Sequence, residues 1–140
     1  MSGKSRETNG KAILLVRVST QIQDYLPQIE DLKRYANLKG FTQFHIIETK
    51  ESGLADLDSK VGGNAMFQFF AANHDFKTVF CTEISRIGRR ESILHTMKEW
   101  FVEHEIQLFV KDKDYRLFDS EGRVTAEGGL LFTLYGYFAE

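Results

Sequence analysis

The sequence predicts an α/β domain whose mostly parallel sheet of four to five strands is flanked by helices. Apolar runs of strand length alternate along the chain with segments in which apolar residues recur at helical spacing. This alternation is typical of parallel sheets, because each parallel connection needs a crossover that a helix usually provides. The length of 140 residues fits one domain, and the hydrophobic fraction of 42% is enough for a single core.

The first predicted strand and helix follow one another closely. Residues 11–18 contain the apolar run AILLV, which predicts a strand buried on both faces. After the polar segment STQIQD, apolar residues recur at helical spacing up to Gly40, the expected C-cap. Because a proline inside a helix costs about 3 kcal/mol, Pro27 predicts that this helix starts near Tyr25 or Leu26.

The rest of the chain continues the alternation. We expect strands at 44–47, 78–82, 106–110 and 115–118. We expect helices at 64–72 and 92–104, and an apolar helix from residue 125 to the end. Residues 51–63 are polar and glycine-rich, which predicts a loop.

Composition limits the classes of protein to which the chain can belong. Residues 1–10 are polar and lack the apolar segment of a signal peptide, so we expect a disordered lead-in before a domain over 11–140. One cysteine permits no intramolecular disulfide. No apolar run approaches the roughly 20 residues needed to cross a bilayer. We therefore expect a cytoplasmic protein that does not enter a membrane.

Two polar segments follow the first and third predicted strands, at the carboxyl ends where open parallel sheets hold their active sites. The first is RVST at 17–20, and the second is EISRIGRR at 83–90. Strands one and three are commonly neighbours in such sheets, so we expect the segments to face each other across one crevice. The crevice would hold the hydroxyl of Ser19 and three or four guanidinium groups.

This combination of groups fits phosphoryl transfer. A guanidinium group donates two parallel hydrogen bonds to phosphate oxygens and keeps its charge. Arg17, Arg86 and Arg89 would stabilise the negative charge that develops during the reaction. Ser19 would be the nucleophile, activated by its position and by that charge. Taken singly, a serine after a strand is more often a helix N-cap, and surface arginines are more often solvated.

The same segments resemble the serine recombinase family of resolvases and DNA invertases. VRVSTQIQ, followed by a helix ending in YANLKGF, is similar to the opening of these proteins. EISRIGRRES looks like their second motif, and FDSEGRVTAEGGLLFTLYGYFAE looks like their third. The resemblance extends from about Lys11 to Glu140. It implies a three-layer resolvase-like domain whose apolar C-terminal helix begins the dimerisation and DNA-crossing helix, so we expect a subunit interface there.

The resemblance also implies a reaction. In the family, serine attacks the scissile phosphate of double-stranded DNA, forms a covalent 5′-phosphoseryl link and releases a 3′-hydroxyl. A homodimer binds each site, and a tetramer forms the synaptic complex, in which strands are exchanged and religated. No metal and no cofactor is used. The sequence leaves open whether the outcome is resolution, inversion, integration or transposition.

Individual residues acquire roles from the same resemblance. It makes Ser19 the nucleophile and gives the phosphate clamp to three arginines, Arg17, Arg86 and Arg89. Four residues match supporting positions of the active site: Gln23, Gln28, Lys60 and Ser85. A further arginine, Arg123, is a candidate DNA contact.

Departures from the family pattern favour an alternative function. Leu15 lies where the family often has tyrosine, and Ser85 where it often has an acidic residue before the arginine. Lys60 is at best the counterpart of a family arginine, and lysine lacks the planar donor fork. These changes motivate the alternative hypothesis of a catalytically impaired relative that acts as a dimerising or DNA-architectural module.

Two further expectations concern a DNA-binding domain and the other families to which the fold could belong. The sequence stops within the last helix, so we expect the family's DNA-binding domain to be absent, in keeping with a net charge of −2. A flavodoxin-like or receiver-like domain is the remaining alternative. A receiver should carry an acidic pocket at the strand ends, whereas this chain has serine and arginine there.

Overall fold

The computed structural model describes residues 9–17, 22–49, 63–88, 90–129 and 132. These residues form five strands and three main helices in the order β1 (Lys11–Arg17), α1 (Ile22–Leu38), β2 (Gln43–Thr49), α2 (Gly63–Ala72), β3 (Thr78–Cys81), α3 (Glu91–Glu103), β4 (Gln107–Val110) and β5 (Tyr115–Arg116). Short 3₁₀ helices follow β3 and β4, at Ile84–Arg86 and Lys111–Lys113. Residues 126–129 and 132 are also helical, within the predicted C-terminal helix.

The sheet has the order β2-β1-β3-β4-β5. The first four strands are parallel, and β5 runs antiparallel to β4. β1 and β3 are neighbours, as predicted, with Leu15 opposite Cys81. The predicted α/β class with a mostly parallel sheet is therefore confirmed, and the carboxyl ends of β1, β3 and β4 meet at one edge.

Each face of the sheet has its own apolar core. Alternate residues of β1 point to opposite faces, so its five central residues are all buried. On one face, α1 packs through Ile29, Leu32 and Ala36 against a floor that includes Leu14 and Phe80. On the other face, α2 and α3 cover a second cluster, which also takes in Phe132 at 2% exposure. The described start of the C-terminal helix thus contributes to the core of its own chain.

The start of α1 differs from the prediction. α1 begins at Ile22 rather than near Tyr25 or Leu26, so that prediction was wrong. Pro27 falls in the second turn, where its missing N–H leaves only one helical hydrogen bond unmade, and the packing of the helix on the sheet outweighs that loss. The helix ends as predicted before Gly40, whose φ is +96°.

The predicted fifth strand is shorter than expected, and beyond its end a side chain of β4 bonds the backbone of Phe118. β5 covers Tyr115–Arg116 rather than 115–118. The Gln107 amide donates to the carbonyl of Phe118 at 2.8 Å, and the Phe118 N–H donates to the Gln107 oxygen at 2.9 Å. This exchange gives the backbone of Phe118 its hydrogen bonds to β4, while the Leu117 N–H still donates to the Leu108 carbonyl at 2.9 Å and Phe118 forms an isolated bridge with Val124.

The predicted lead-in is described only at its end. The Asn9 side chain accepts the N–H of Lys11 at 3.1 Å, and the Gly10 carbonyl accepts the N–H groups of Thr42 and Gln43 at 2.9 Å. Residues 1–8 lie outside the described residues, so their disorder stays a prediction.

The C-terminal helix starts at a tight contact that glycine permits. Thr125 donates its hydroxyl to the carbonyl of Arg116 at 2.8 Å and accepts the N–H of Gly128 at 2.8 Å. A β-carbon on Gly128 would lie 2.7 Å from the Thr125 hydroxyl and 3.1 Å from the Leu117 α-carbon. Because the latter is backbone, the helix would have to move to make room.

Replacing Gly128 by alanine should therefore lower the free energy of unfolding by about 1–3 kcal/mol. The matched control is Gly129→Ala, since a β-carbon there meets nothing closer than the Lys98 amine at 3.5 Å. That change should be neutral or stabilise by up to about 1 kcal/mol through helix propensity. Urea unfolding of both variants measures the difference, and equal stabilities would contradict the steric argument.

Candidate active site

The carboxyl-end edge of the sheet gathers charged groups from three strands. Arg17 is the last residue of β1, Glu83 and Arg86 follow β3, and Asp112 follows β4. β1 and β3 are adjacent and parallel, with Leu15 opposite Cys81, and the positive charge of Arg17 makes a small contribution to lowering the pKa of the Glu83 carboxyl. Of the two segments that the sequence analysis assigned to one crevice, the described residues Arg17 and 83–88 lie at this edge.

The turn after β3 is fixed by its own apolar residues. Ile84 and Ile87 insert into the core at 3% and 0% exposure, and the Arg86 N–H donates to the Glu83 carbonyl at 3.0 Å. The next residue, Gly88, lets the start of α3 approach, because a β-carbon there would lie 2.7 Å from a methyl carbon of Ile93. The turn is therefore a rigid support for the polar side chains that it carries.

Three of those side chains form one hydrogen-bonded cluster. The Ser85 hydroxyl donates to the Glu83 carboxylate, and Nη2 of Arg86 donates to the Ser85 oxygen at 3.1 Å. The same nitrogen lies 3.5 Å from the Glu83 carboxylate, with side-chain exposures of 6% for Arg86 and 46% for Glu83. Arg86 is thus a buried cation and not one of the solvated surface arginines that are more common in proteins.

Electrostatics keep this cluster charged. The hydrogen bond from Ser85, aided by the charges of Arg86 and Arg17, holds the pKa of Glu83 below its ordinary value against the opposing effect of burial. At the end of β4, partial burial raises the pKa of Asp112, and the like charge of Glu83 adds to that rise. The edge therefore combines guanidinium groups with two carboxyl groups.

Sequence reasoning did not single out Glu83 or Asp112 as functional residues. A signal was present, since Glu83 lies just past the end of β3 and Asp112 just past the end of β4. The carboxyl ends of neighbouring parallel strands are where active-site residues collect.

The side chain of Gln28 contacts this edge of the sheet through the backbone of Arg17. Its side-chain oxygen accepts the N–H of Arg17 at 2.8 Å, and its amide nitrogen donates to the Arg17 carbonyl at 3.3 Å. The side chain thereby ties α1 to the last residue of β1, immediately before the segment that contains Ser19. Gln28 holds the strand end in place by these two bonds.

Several predicted site residues cannot be located. Ser19, Lys60 and Arg89 lie outside the described residues, as does the side chain of Gln23, whose backbone belongs to α1. Arg123 lies on the turn before the C-terminal helix, exposed at 73% and hydrogen-bonded to Glu121. The roles given to these residues stay predictions.

Two other classes of site receive no support from the described residues. In residues 9–17, 22–49, 63–88 and 90–129, no three histidine, cysteine or acidic side chains are grouped so that they could hold a metal ion. Burial raises the pKa of the Cys81 thiol, so that side chain is packing rather than a nucleophile. In the same part of the chain, no helix has both the length and the apolar character needed to span a bilayer.

Comparison with known proteins gives one family and a shared fold. The sequence model described as "Resolvase, N terminal domain" matches residues 12–140. The N-terminal catalytic domain of TP901-1 integrase is similar in structure, with a TM-score of 0.62 and 22% identity over 91% of this chain and 92% of that chain. A resolvase family site-specific recombinase from Streptococcus pneumoniae has a TM-score of 0.58 and 18% identity, over 92% and 85% of the two chains. No curated protein sequence matches the chain.

Proposed function

Because this chain belongs to the resolvase N-terminal domain family, the catalytic domain of site-specific recombinases, we propose that it cleaves and rejoins DNA through Ser19. The observation that carries the proposal is the sheet edge where β1 ends at Arg17 next to β3, whose following turn holds buried Arg86 in a hydrogen-bonded cluster. Only one residue separates Ser19 from Arg17 in the sequence. This arrangement supports a phosphate held next to a serine hydroxyl.

In the proposed reaction, the Ser19 oxygen attacks the phosphorus of a scissile phosphodiester. A bond forms between that oxygen and phosphorus, and the bond from phosphorus to the 3′-oxygen breaks. Serine loses its proton and the departing 3′-oxygen gains one, so the products are a 5′-phosphoseryl link and a 3′-hydroxyl. Arg17, Arg86 and Arg89 stabilise the charge on the equatorial oxygens. Religation is the reverse step and needs no external energy source, because the phosphodiester of DNA is exchanged for a phosphodiester between serine and the 5′-carbon.

The proposed partners are double-stranded DNA and further copies of the chain. A homodimer would bind one site, and two dimers would form the synaptic tetramer. The exposed guanidinium of Arg123, on the turn that precedes the C-terminal helix, is available for a phosphate contact in exchange for Glu121.

One observation favours the alternative of a catalytically impaired module. Ser85, at 1% exposure, takes a position where the family often has an acidic residue. If the site lacked that charge, the domain would act only by dimerising or by shaping DNA. Covalent chemistry separates this function from the enzymatic one.

The test is recovery of a covalent protein–DNA adduct. The full-length protein is expressed in its natural host, the cells are lysed in denaturant, and DNA that stays attached to the protein is sequenced. Protease digestion and mass spectrometry then locate the attached nucleotide. We expect it on Ser19, with the adduct lost in Ser19→Ala and kept in the control Ser120→Ala, which changes an exposed turn residue. An adduct that persists in Ser19→Ala overturns the assignment, and no adduct from the natural sequence favours the non-catalytic module.

A further inference from the structure

Arg86 is a charge that the fold has removed from water. Its side chain is 6% exposed, and a guanidinium group does not lose its proton in a protein. A buried cation needs hydrogen bonds and a counter-charge to be tolerated. Glu83 supplies charge at 3.5 Å, so the position of its carboxylate bears directly on the position of Arg86.

The backbone brings these two side chains to the same side of the turn. Glu83 is the extended N-cap of the 3₁₀ helix Ile84–Arg86, and its carbonyl accepts the Arg86 N–H at 3.0 Å, which holds the two residues close together across the turn. The anchors Ile84 and Ile87 prevent the turn from rotating, because both are buried in the core. The backbone of the turn therefore holds the side chains of Glu83 and Arg86 close to each other.

Ser85 links the carboxylate to the guanidinium group. A hydroxyl has one proton and two acceptor positions. Donation to Glu83 commits the proton, so the oxygen lone pairs are directed to Arg86, whose Nη2 donates at 3.1 Å. Both the serine and the carboxylate engage Nη2, which fixes the rotation of the guanidinium plane.

We propose that Glu83 is a positioning residue for DNA cleavage, acting through Ser85 to orient the guanidinium group of Arg86 toward the scissile phosphate. The inference rests on the proposed function of the site. The chain has serine where similar proteins often have an acid, and the carboxylate instead comes from two residues earlier and acts through the serine hydroxyl. The departure at Ser85 is on this view a relocation of the negative charge rather than its loss.

The test compares cleavage with binding, on the duplex sequence recovered from the Ser19 adduct. Glu83→Gln keeps the size of the side chain and its acceptor for Ser85 but removes the charge. We expect the rate constant of cleavage to fall roughly 10- to 100-fold, since small misplacements of a catalytic group have effects of this size. The dissociation constant for the duplex should stay within about twofold. The control Glu99→Gln, a 70% exposed side chain on α3, should leave both quantities unchanged.

Rescue distinguishes positioning from a general structural role. The double variant Glu83→Ala/Ser85→Asp places one carboxylate directly beside Arg86 and should cleave faster than Glu83→Ala alone. Ser85→Ala, which removes the link but keeps the carboxylate, should be slowed in the same way as Glu83→Gln. If the double variant shows no recovery, or if Glu83→Gln cleaves at the natural rate, the proposal is overturned while Ser19 chemistry stands.

A readout that needs no activity separates failure of this inference from failure of the proposed function. The side-chain nitrogen signals of Arg86 in the NMR spectrum of the natural chain are assigned by comparison with Arg86→Lys. Glu83→Gln should shift or broaden them, whereas Glu99→Gln should not. Unchanged Arg86 signals in Glu83→Gln overturn the positioning role even if no adduct is ever found.

Discussion

Replacing Arg86 by alanine should lower the rate of DNA cleavage by about 10²- to 10³-fold, the usual cost of removing one donor that stabilises a developing negative charge. The guanidinium group is buried beside Glu83 and Ser85, so no mobile surface residue can take its place. The measurement is single-turnover formation of the Ser19 adduct on the duplex recovered from cells. Binding of that duplex, followed by gel shift, should change far less than cleavage.

Lysine at the same position provides the sharper comparison. Arg86→Lys keeps the charge but loses the planar donor fork, so we expect a large part of the loss to remain. The matched control is Arg34→Ala, which removes an arginine of α1 that is 69% exposed and paired with Asp31. Wild-type cleavage by Arg86→Ala in a folded protein would remove Arg86 from the phosphate clamp.

The largest loss of stability should come from Phe80→Ala, which we expect to cost about 3–5 kcal/mol. Phe80 is fully buried at the centre of β3. Its ring stacks on Phe109 at 4.7 Å and meets Phe41 and Tyr35 edge-on at 5.2 and 5.8 Å. Alanine would open a cavity under α1 and remove all three ring contacts, so the melting temperature should fall by roughly 10 °C.

Two further variants help to explain the loss of stability in Phe80→Ala. Phe80→Leu fills much of the space without the ring contacts and should have an intermediate cost. Leu26→Ala truncates a side chain of α1 that is 61% exposed, and its effect should stay within about 0.5 kcal/mol. Chemical unfolding measures all three, and a cost below about 1 kcal/mol for Phe80→Ala would mean that this face of the sheet tolerates a void.

Much of the fold could be predicted from the sequence because its strands and helices carry distinct periodicities. The five central residues of β1 form a short apolar run, and such a run predicts a strand with neighbours on both faces, as found. The start of α1 could not be predicted, because the local cost of Pro27 is outweighed by packing that no local pattern reveals. The end of β5 could not be predicted either, because the backbone of Phe118 bonds the Gln107 side chain 11 residues earlier, a contact that strand periodicity does not reveal.

Two of the predicted cations lie where the sequence placed them, whereas the carboxylates were not predicted. Arg17 at the end of β1 and Arg86 in the turn after β3 could be assigned to one edge, because the topology brings those strand ends together. Glu83 and Asp112 also follow strand ends, but their interactions depend on a 3₁₀ turn and on the proximity of neighbouring strands, which local sequence does not reveal. Ser85 differs from the family pattern, but the effect of this difference on the site depends on the Glu83 carboxylate, to which the Ser85 hydroxyl donates.

The Gln28 side chain has a consequence for the backbone at the end of β1. Leu15 is the last residue of β1 with a β3 partner, so Arg17 extends past the paired part of β3. Gln28 offers a donor and an acceptor, as a peptide group does, and it occupies the N–H and C=O of Arg17. A glutamine of α1 thus imitates the next rung of the sheet, and the strand keeps its backbone hydrogen bonds beyond the end of its ladder with β3.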